Sequence, residues 1–515
     1  MASAPHGLVS VETALADEQE TDRLAEAVGA SAGAGDVILL EGDLGAGKTA
    51  FARALIRSVA DDRAVEVPSP TFTLVQTYDA GRLRIAHADL YRIADPAELD
   101  ELGLDDFATD GLLLVEWPER APGRFGDDRL EVRLRVDPAA PEAREARLVG
   151  TGSWAKRLKR LAEVRDAVER LGYGGWHRRF LQGDASTRRY EVLTDDGRTA
   201  ILMDSPATPD PGTGAVPYSR IAHLAETVTP FVAIARVLRD FGFSTPEIYA
   251  ADLDAGVLVT EDLGRQGVLD RDGRPVQDRY AAAIDALSVL HAIDLPQEAQ
   301  AAPGVVHRLP RYDHEAFLIE ISLLLDWFAP LVTGGPLPAE AVAEFRALWD
   351  DLLYDLTDPI RHRAWVLRDY HSPNLIWLPQ REGIARVGII DMQDAVVGPA
   401  AYDVASLVFD ARVDISDRMW RELYARYVAE RQIFDPDFDA EGFDREFAVL
   451  AAQRNTKILG IFARLSRRDG KHGYLRHIPR ISNYLDHALS HSVLAGLKLW
   501  YDTHLPADLR KRATG

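Results

Sequence analysis

The stretch VILLEGDLGAGKTAFARAL, residues 37–55, matches the pattern G-x-x-x-x-G-K-[ST] from Gly42 to Thr49. Glycines at 42, 45 and 47 let backbone N–H groups wrap phosphate oxygens, and a lysine at this place reaches the terminal phosphates of a nucleotide. The setting agrees with the pattern. Val37 to Leu40 form a short apolar run suited to a buried strand, and Phe51, Leu55 and Val59 recur at helical spacing after the loop. Gly42, Gly45, Ala46, Gly47, Lys48 and Thr49 are therefore the expected nucleotide-binding residues. Thr49 is expected to place its hydroxyl on Mg²⁺, and the helix N-terminus adds the positive end of its dipole to the cradle.

A second oxygen ligand for the metal is needed, and GLLLVEWPER supplies Glu116 directly after an apolar, strand-like run. In RLRIAHADLYR, Leu83, Ile85, His87 and Asp89 alternate along one face, which brings Asp89 to the end of another strand. His87 reads as a structural residue.

At 515 residues the chain exceeds what one hydrophobic core usually supports, so two or three domains are expected. With 47% hydrophobic and 27% charged residues it has ample apolar material for globular cores. A net charge of -22 argues against direct seizure of nucleic acid, which relies on Lys and Arg clusters. Cysteine is absent, which excludes disulfides, thiol nucleophiles and Cys-ligated zinc together. The N-terminus lacks the basic start and apolar run of a signal peptide, and no later stretch reads as membrane-spanning, so a cytoplasmic protein without a membrane partner is expected.

Five ordered segments, GDLGAGKT, SPTFTLVQTY, HADLYR, ELGLDDF and LLLVEWPER, resemble the TsaE family of bacterial ATPases in tRNA threonylcarbamoyladenosine synthesis over roughly residues 8 to 150. The resemblance implies a P-loop α/β domain that hydrolyses ATP while bound to TsaB- and TsaD-like partners, touching tRNA only through them. It further implies that Thr49 and Glu116 hold Mg²⁺, that Lys48 binds phosphate, and that Asp89 is the catalytic or water-orienting acid. Ser69, Pro70 and Thr71 would belong to a switch-like loop, with Trp117 near the nucleotide.

After RLEVRLRVDPAAPEAREARLVGTG, read as two strands around a Pro- and Ala-rich turn, a helix begins at Ser153 with Trp154, Leu158, Leu161, Val164 and Val168 as its apolar stripe. This helix either closes the first domain or opens the second; the boundary is placed near residue 152. Beyond it, AWVLRDYHSPNLIWL contains Asp369 and Asn374, and VGIIDMQDAVVGPAAYDVASL follows with Asp391 after an apolar strand. This is the layout of a kinase site, where an aspartate orients the attacking hydroxyl and Asn and Asp hold Mg²⁺ on the phosphates of ATP. Upstream, RRYEVLTDDGRTAILMD reads as two strands joined at Asp196-Gly197, and GVLVTEDLG as a hinge strand.

GDASTRRYEV, ILMDSP, LRDYHSPNLIW, IIDMQDAVVGPAAYDVASL and QRNTKILGIFARLSRRDGKHGYLRHIPR resemble the AmgK family of anomeric sugar kinases over about residues 160 to 505. The resemblance implies ATP-dependent phosphorylation of the C1 hydroxyl of N-acetylmuramate or N-acetylglucosamine, an amino sugar substrate from cell-wall recycling. Asp369 would then be the catalytic base, with Asn374 and Asp391 as metal ligands. Met203 and Asp204 stand where a phosphate-binding lysine normally sits, and Leu367 where a histidine often precedes the catalytic aspartate; Arg188 or Arg189 is a candidate replacement for the cation. Gln453, Arg454, Asn455 and Lys457 are candidates for the sugar, while Tyr402 and Asp403 are expected to brace the catalytic loop. The expected architecture is an α/β P-loop NTPase domain over residues 1–152, followed over 153–515 by an α+β protein-kinase-like, aminoglycoside-phosphotransferase-like two-lobed domain. A P-loop switch joined to a regulatory pseudokinase is the competing class, and a kinase of an aminoglycoside, choline or another small hydroxylated substrate is the third.

Overall fold

The computed structural model describes residues 7–181, 188–208 and 216–512. The chain packs as two compact units, Met1–Pro206 with Tyr249–Asp262, and Ala207–Ile248 with Leu263–Gly515.

The first unit contains two sheets. Strands β1 (Val9–Leu15), β2 (Asp36–Glu41), β3 (Val75–Ala80), β4 (Leu83–Asp89), β5 (Leu112–Glu116), β6 (Leu130–Asp137) and β7 (Ala140–Gly150) form a mixed sheet in the order β1-β7-β6-β2-β5-β4-β3. At its centre β2 pairs in parallel with β5 and β6, and β5 in parallel with β4. Central parallel strands are covered on both faces, so both faces must be apolar. Ile38 and Leu40 accordingly point into one core and Val37 and Leu39 into the other. Helices α1 (Glu18–Ser31) and α2 (Lys48–Ala60) cover the first face through Val28, Phe51 and Leu55, and α3 (Leu104–Asp110) lies on the second through Leu104.

Helix α4 (Ser153–Arg170) leaves this sheet for the next. Its first half buries Trp154, Leu158 and Leu161 in the core of the seven-stranded sheet. Its second half buries Val164, Ala167 and Val168 against a second, five-stranded sheet. That sheet holds β8 (His177–Leu181), β9 (Arg189–Asp195), β10 (Arg198–Asp204), β11 (Ile248–Asp252) and β12 (Val257–Thr260) in the order β11-β12-β10-β9-β8. Strands β9 and β10 turn at Asp196 and Gly197, both with positive φ (44° and 77°), as a two-residue hairpin requires. Two arginines three apart on α4 repeat the division of its apolar stripe. Arg157 grips Asp36 of β2 at 2.6 and 2.7 Å, and Arg160 grips Asp204 of β10 at 2.6 and 2.9 Å. Helix α4 thus both closes the first sheet and opens the second.

Edge strand β8 is also clamped to α1 and to the turn between β3 and β4. Glu26 accepts from the Arg178 amide at 2.9 Å and from His177 Nδ1 at 3.0 Å, and the guanidinium of Arg82 lies 4.5 Å over the Phe180 ring. Arg178 is buried and pairs with Glu191 through two bonds of 2.8 and 2.9 Å.

The second unit is mainly helical. Its longest helix, Ala440–Asp469, packs against the helix His314–Leu323, and Gly460 makes the approach possible: a Cβ there would lie 2.3 Å from the Leu323 carbonyl carbon. The stretch His314–Thr333 is long and apolar enough to cross a membrane by length and composition, contrary to the expectation that no such stretch exists. It is half buried inside this unit, where Phe317, Ile321, Leu324 and Phe328 are core residues and Glu320 is fully buried, so its apolar composition serves packing.

Neighbouring arginines on β8 test this packing. Arg178→Ala leaves Glu191 buried without its partner and is expected to cost about 3–5 kcal/mol. Arg179→Ala removes only an exposed pair with Asp61 and is expected to cost less than about 1 kcal/mol. The denaturant midpoint of the full chain reads the difference.

Candidate active sites

The first site lies at the carboxyl ends of β2, β4 and β5. Gly42 opens the loop at φ 144°, where a Cβ would lie 2.3 Å from the Leu134 carbonyl oxygen, so no side chain fits. Gly45 and Gly47 also take positive φ (79° and 107°), and α2 starts at Lys48. The Lys48 ammonium donates to the carbonyls of Gly42 and Asp43 at 2.7 and 3.0 Å and sits 3.7 Å from the centre of the Trp117 ring. Burial lowers the Lys48 pKa, against the pull of Glu116. From β7, Arg144 donates to the Ala46 carbonyl at 3.0 Å and so fixes the back of the loop.

Parallel pairing puts Asp89 opposite Glu116 and Glu116 opposite Leu40, which gathers the two carboxylates beside the loop. Thr49 Oγ1 donates to Glu116 at 2.9 Å, and buried His87 Nε2 holds the same carboxylate at 2.9 Å. A hydroxyl and a carboxylate in contact are hard oxygen donors of the kind Mg²⁺ takes. Asp89 accepts from Thr71 Oγ1 at 2.6 Å, from Ser69 Oγ at 3.3 Å and from the Tyr91 amide at 2.9 Å. The loop expected to switch is thereby joined to Asp89.

The second site is built wholly within the second unit. Strands Leu375–Trp377 and Val387–Ile389 form an antiparallel hairpin. At its end the Ile390 amide donates to the Asn374 carbonyl at 3.0 Å, which brings Asn374 beside Asp391. Asn374 Nδ2 donates to the Asp369 carbonyl at 2.9 Å, tying the loop to the hairpin. Asp391 adopts a left-handed φ of 60° and accepts from Gln393 Nε2 at 2.9 Å. Asn374 and Asp391 again offer hard oxygens to a divalent cation.

The loop carrying Asp369 is strained and heavily braced. Arg368 has φ 66°, an unfavourable conformation for a long side chain. It is held there because buried Asp403 accepts from the amides of Leu367 and Arg368 at 2.6 and 2.8 Å, and Ser406 Oγ donates to the Arg368 carbonyl at 3.1 Å. Asp410 accepts from the Ser372 amide and hydroxyl at 2.9 and 2.5 Å. The Arg368 guanidinium, Lys457 Nζ (2.7 Å), Gln453 Nε2 (2.9 Å) and Tyr312 OH (2.5 Å) all converge on Glu320. Burial raises the Glu320 pKa, but Lys457 and Arg368 outweigh it and hold the carboxyl below its ordinary value.

The profile of the family described as threonylcarbamoyl adenosine biosynthesis protein TsaE matches residues 15–146, and that of the phosphotransferase enzyme family matches residues 177–441. The chain belongs to both families. It is 37% identical over 359 residues to the N-acetylmuramate/N-acetylglucosamine kinase of Caulobacter vibrioides, covering 66% of this chain and 95% of that protein. The Pseudomonas aeruginosa kinase of the same name is 32% identical over 313 residues, covering 60% and 82%. The tRNA threonylcarbamoyladenosine biosynthesis protein TsaE of Rickettsia felis is 40% identical over 122 residues, covering 24% and 71%.

The structure brings Gly42, Gly45, Ala46, Gly47, Lys48, Thr49, Asp89 and Glu116 into one site, and Asp369, Asn374 and Asp391 into another. Gln453 and Asn455, candidates for the sugar, are fully buried; Gln453 donates to Glu320 and Asn455 to the Ala451 carbonyl. Tyr402 is buried against Tyr312, with Lys457 Nζ at 3.3 Å from its hydroxyl. Met203 is buried and Asp204 is engaged by Arg160. Arg189 is exposed on β9, and GDAST in the motif before it, residues 183–187, lies outside the described residues.

Arg144, Asp410 and Glu320 are among the residues that had no role in the sequence reading. Glu320 left a trace, a lone acid in the apolar run FLIEISLLL, the pattern of a buried, paired carboxylate.

Two histidines near this site resist protonation. His371 is held below its ordinary value by burial and then by Arg412. His477 is pushed down to about 4 by burial, then by Arg480 and Arg476. Their folded pKa values lie below the unfolded value of 6.5, so the folded chain binds fewer protons across the interval between. Their stabilising contribution is complete above pH 6.5 and is lost as pH falls toward about 4. Denaturant unfolding across that window should show stability falling with pH, with a shallower slope in His477→Gln.

Proposed function

We propose that the chain is a bifunctional cytoplasmic protein: an ATPase supporting threonylcarbamoyladenosine modification of tRNA, and a kinase that phosphorylates the anomeric hydroxyl of N-acetylmuramate and N-acetylglucosamine. The observation that carries the first reading is Thr49 and Glu116 in contact beside the Lys48 loop. The observation that carries the second is Asp369 held next to Asn374 and Asp391 by the braced loop.

In the ATPase, Lys48 and the amides of Gly45 to Thr49 bind phosphate, Thr49 and Glu116 hold Mg²⁺, and Asp89 orients the attacking water. His87 keeps Glu116 in place. The work is done in company with TsaB- and TsaD-like proteins, which fits a chain whose net charge of -22 disfavours direct contact with tRNA.

In the kinase, ATP supplies the phosphoryl group and Mg²⁺ neutralises its charge; Asn374 and Asp391 hold the metal. Asp369 receives the proton of the acceptor hydroxyl as that oxygen bonds to the γ-phosphorus and the bond to the ADP oxygen breaks. Partial burial raises the Asp369 pKa, but His371, Lys457, Arg368 and Arg454 outweigh it and keep the carboxyl below its ordinary value. A weak base suits an anomeric hydroxyl, which is more acidic than an ordinary alcohol, so orientation counts for more than basicity.

Met203 and Asp204 in place of a lysine favour a second reading, a regulatory pseudokinase. Incubation of the chain with ATP and each amino sugar decides between them: a sugar 1-phosphate supports the kinase, and no product from any amino sugar supports the pseudokinase. Lys48→Ala is expected to abolish the N-terminal ATPase and leave sugar phosphorylation within about two-fold, because its loop belongs to a separate site. Loss of both would contradict independent sites. Asp369→Asn is expected to slow single-turnover phosphorylation by roughly 10²–10⁴ without weakening nucleotide binding, whereas Asp391→Asn should also weaken binding of Mg²⁺-ATP.

A further inference from the structure

Away from both sites, a cleft of about 520 Å³ opens in the first unit where α1, α2 and β8 meet. Ala50 and Ala54 of α2 line it and are too short to fill it. Pockets that hold small molecules measure about 300–1,000 Å³, and this one falls in that range.

The two helical walls carry opposite charge. Glu18, Asp22 and Glu26 follow one another at four-residue intervals along one face of α1, and Arg53 and Arg57 stand one turn apart on α2. Part of the lining is already matched within the protein. Glu26 holds His177 and the Arg178 amide, the Arg178 guanidinium pairs with Glu191, and Arg179 pairs with Asp61. The rest is not. Among the described residues, the carboxylates of Glu18 and Asp22 accept no hydrogen bond and have no cation within 4.0 Å, and Arg53 and Arg57 have no carboxylate within 4.0 Å. Each arginine uses only its Nε, on the Val67 and Val65 carbonyls at 3.3 and 3.0 Å, which leaves the forked end of both guanidinia open. Burial, then Glu18 and Glu26, raise the Asp22 pKa against the pull of His177 and Arg53, as befits an acid short of a close cation.

Opposite charges that line one cleft without meeting leave room for a molecule that carries both signs. An anion alone would satisfy the arginines and be repelled by the acidic wall, and a cation alone would meet the reverse. A carboxylate matches the guanidinium fork and an ammonium matches the aspartate. A single amino acid fills little of the volume, so the two charges belong on the ends of a longer molecule.

We propose that this cleft binds a short peptide with free ends, its terminal carboxylate on Arg53 and Arg57 and its terminal ammonium on Asp22 and Glu18. The site lies outside the phosphate loop and the kinase centre and needs neither to be occupied.

Calorimetric titration of the full chain with trialanine tests the proposal. Trialanine is expected to bind once per chain, and N-acetyl-trialanine, which lacks the ammonium, and trialaninamide, which lacks the carboxylate, are each expected to bind about ten-fold more weakly or worse. Asp22→Asn keeps the shape of the side chain and breaks no hydrogen bond, so it is expected to fold normally, to weaken trialanine about ten-fold and to leave N-acetyl-trialanine unchanged. Arg53→Gln combined with Arg57→Gln should weaken trialanine and spare trialaninamide. Binding of ATP at the phosphate loop checks that the first unit of each variant is intact. No binding of trialanine at millimolar concentration would overturn the proposal, and so would unchanged affinity in Asp22→Asn. Inorganic phosphate or N-acetyl-trialanine binding as tightly as trialanine would reduce the cleft to an anion site, and free alanine binding as tightly would remove the peptide; either result overturns the assignment.

Discussion

Helix α4 is a member of two hydrophobic cores, and the arrangement of the first unit depends on that double membership. An eighteen-residue helix turning once every 3.6 residues presents five turns of apolar stripe, more than one layer of sheet needs. The surplus is used on the second sheet. Arg157 and Arg160 set the register of the two halves with bidentate and forked bonds to Asp36 and Asp204, each on a different sheet. With β8 held by Glu26 and Arg82 as well, the five-stranded sheet is part of the same compact unit as the phosphate loop.

Buried carboxylates play the corresponding part in the second unit. Asp403, Asp410 and Glu320 are fully buried, and between them they take up the amides before and after Asp369 and the guanidinium of Arg368. A loop with a long residue at positive φ needs such anchors, since the strain would otherwise relax and move Asp369 away from Asn374. The histidine that often stands two residues before such an aspartate is not required for this purpose: Leu367 gives its amide to Asp403 at 2.6 Å, and its carbonyl accepts from the Asp369 amide at 2.7 Å.

Much of this was legible from residue patterns. The phosphate loop announces itself because glycines at fixed spacing have few other uses, and the strands flanking it are read from apolar runs. That Asp369, Asn374 and Asp391 would come together was readable as well, since an apolar hairpin between the two motifs closes their spacing. What the sequence hid were partnerships across long separations. His87 looked structural until pairing of β4 with β5 placed it against Glu116, and nothing local to Arg144 marks it as the support of a loop 98 residues earlier. Gln453 and Asn455 read as sugar contacts because they are polar; burial assigns them to the interior instead. The helix at Ser153 could not be given to either neighbour, because sequence periodicity shows that a stripe is buried and not against what.

The double role of α4 bears on how such a protein could be taken apart by a gene rearrangement. A break at residue 152 would separate recognisable family sequences cleanly, yet it would strip Trp154, Leu158 and Leu161 from the sheet they cover and leave Asp36 without Arg157. A break after residue 170 would keep that sheet intact but take Val164 and Val168 away from the other. Neither cut yields two whole halves. Joined in this way, the helix between the two family sequences cannot be divided without loss of packing to one side.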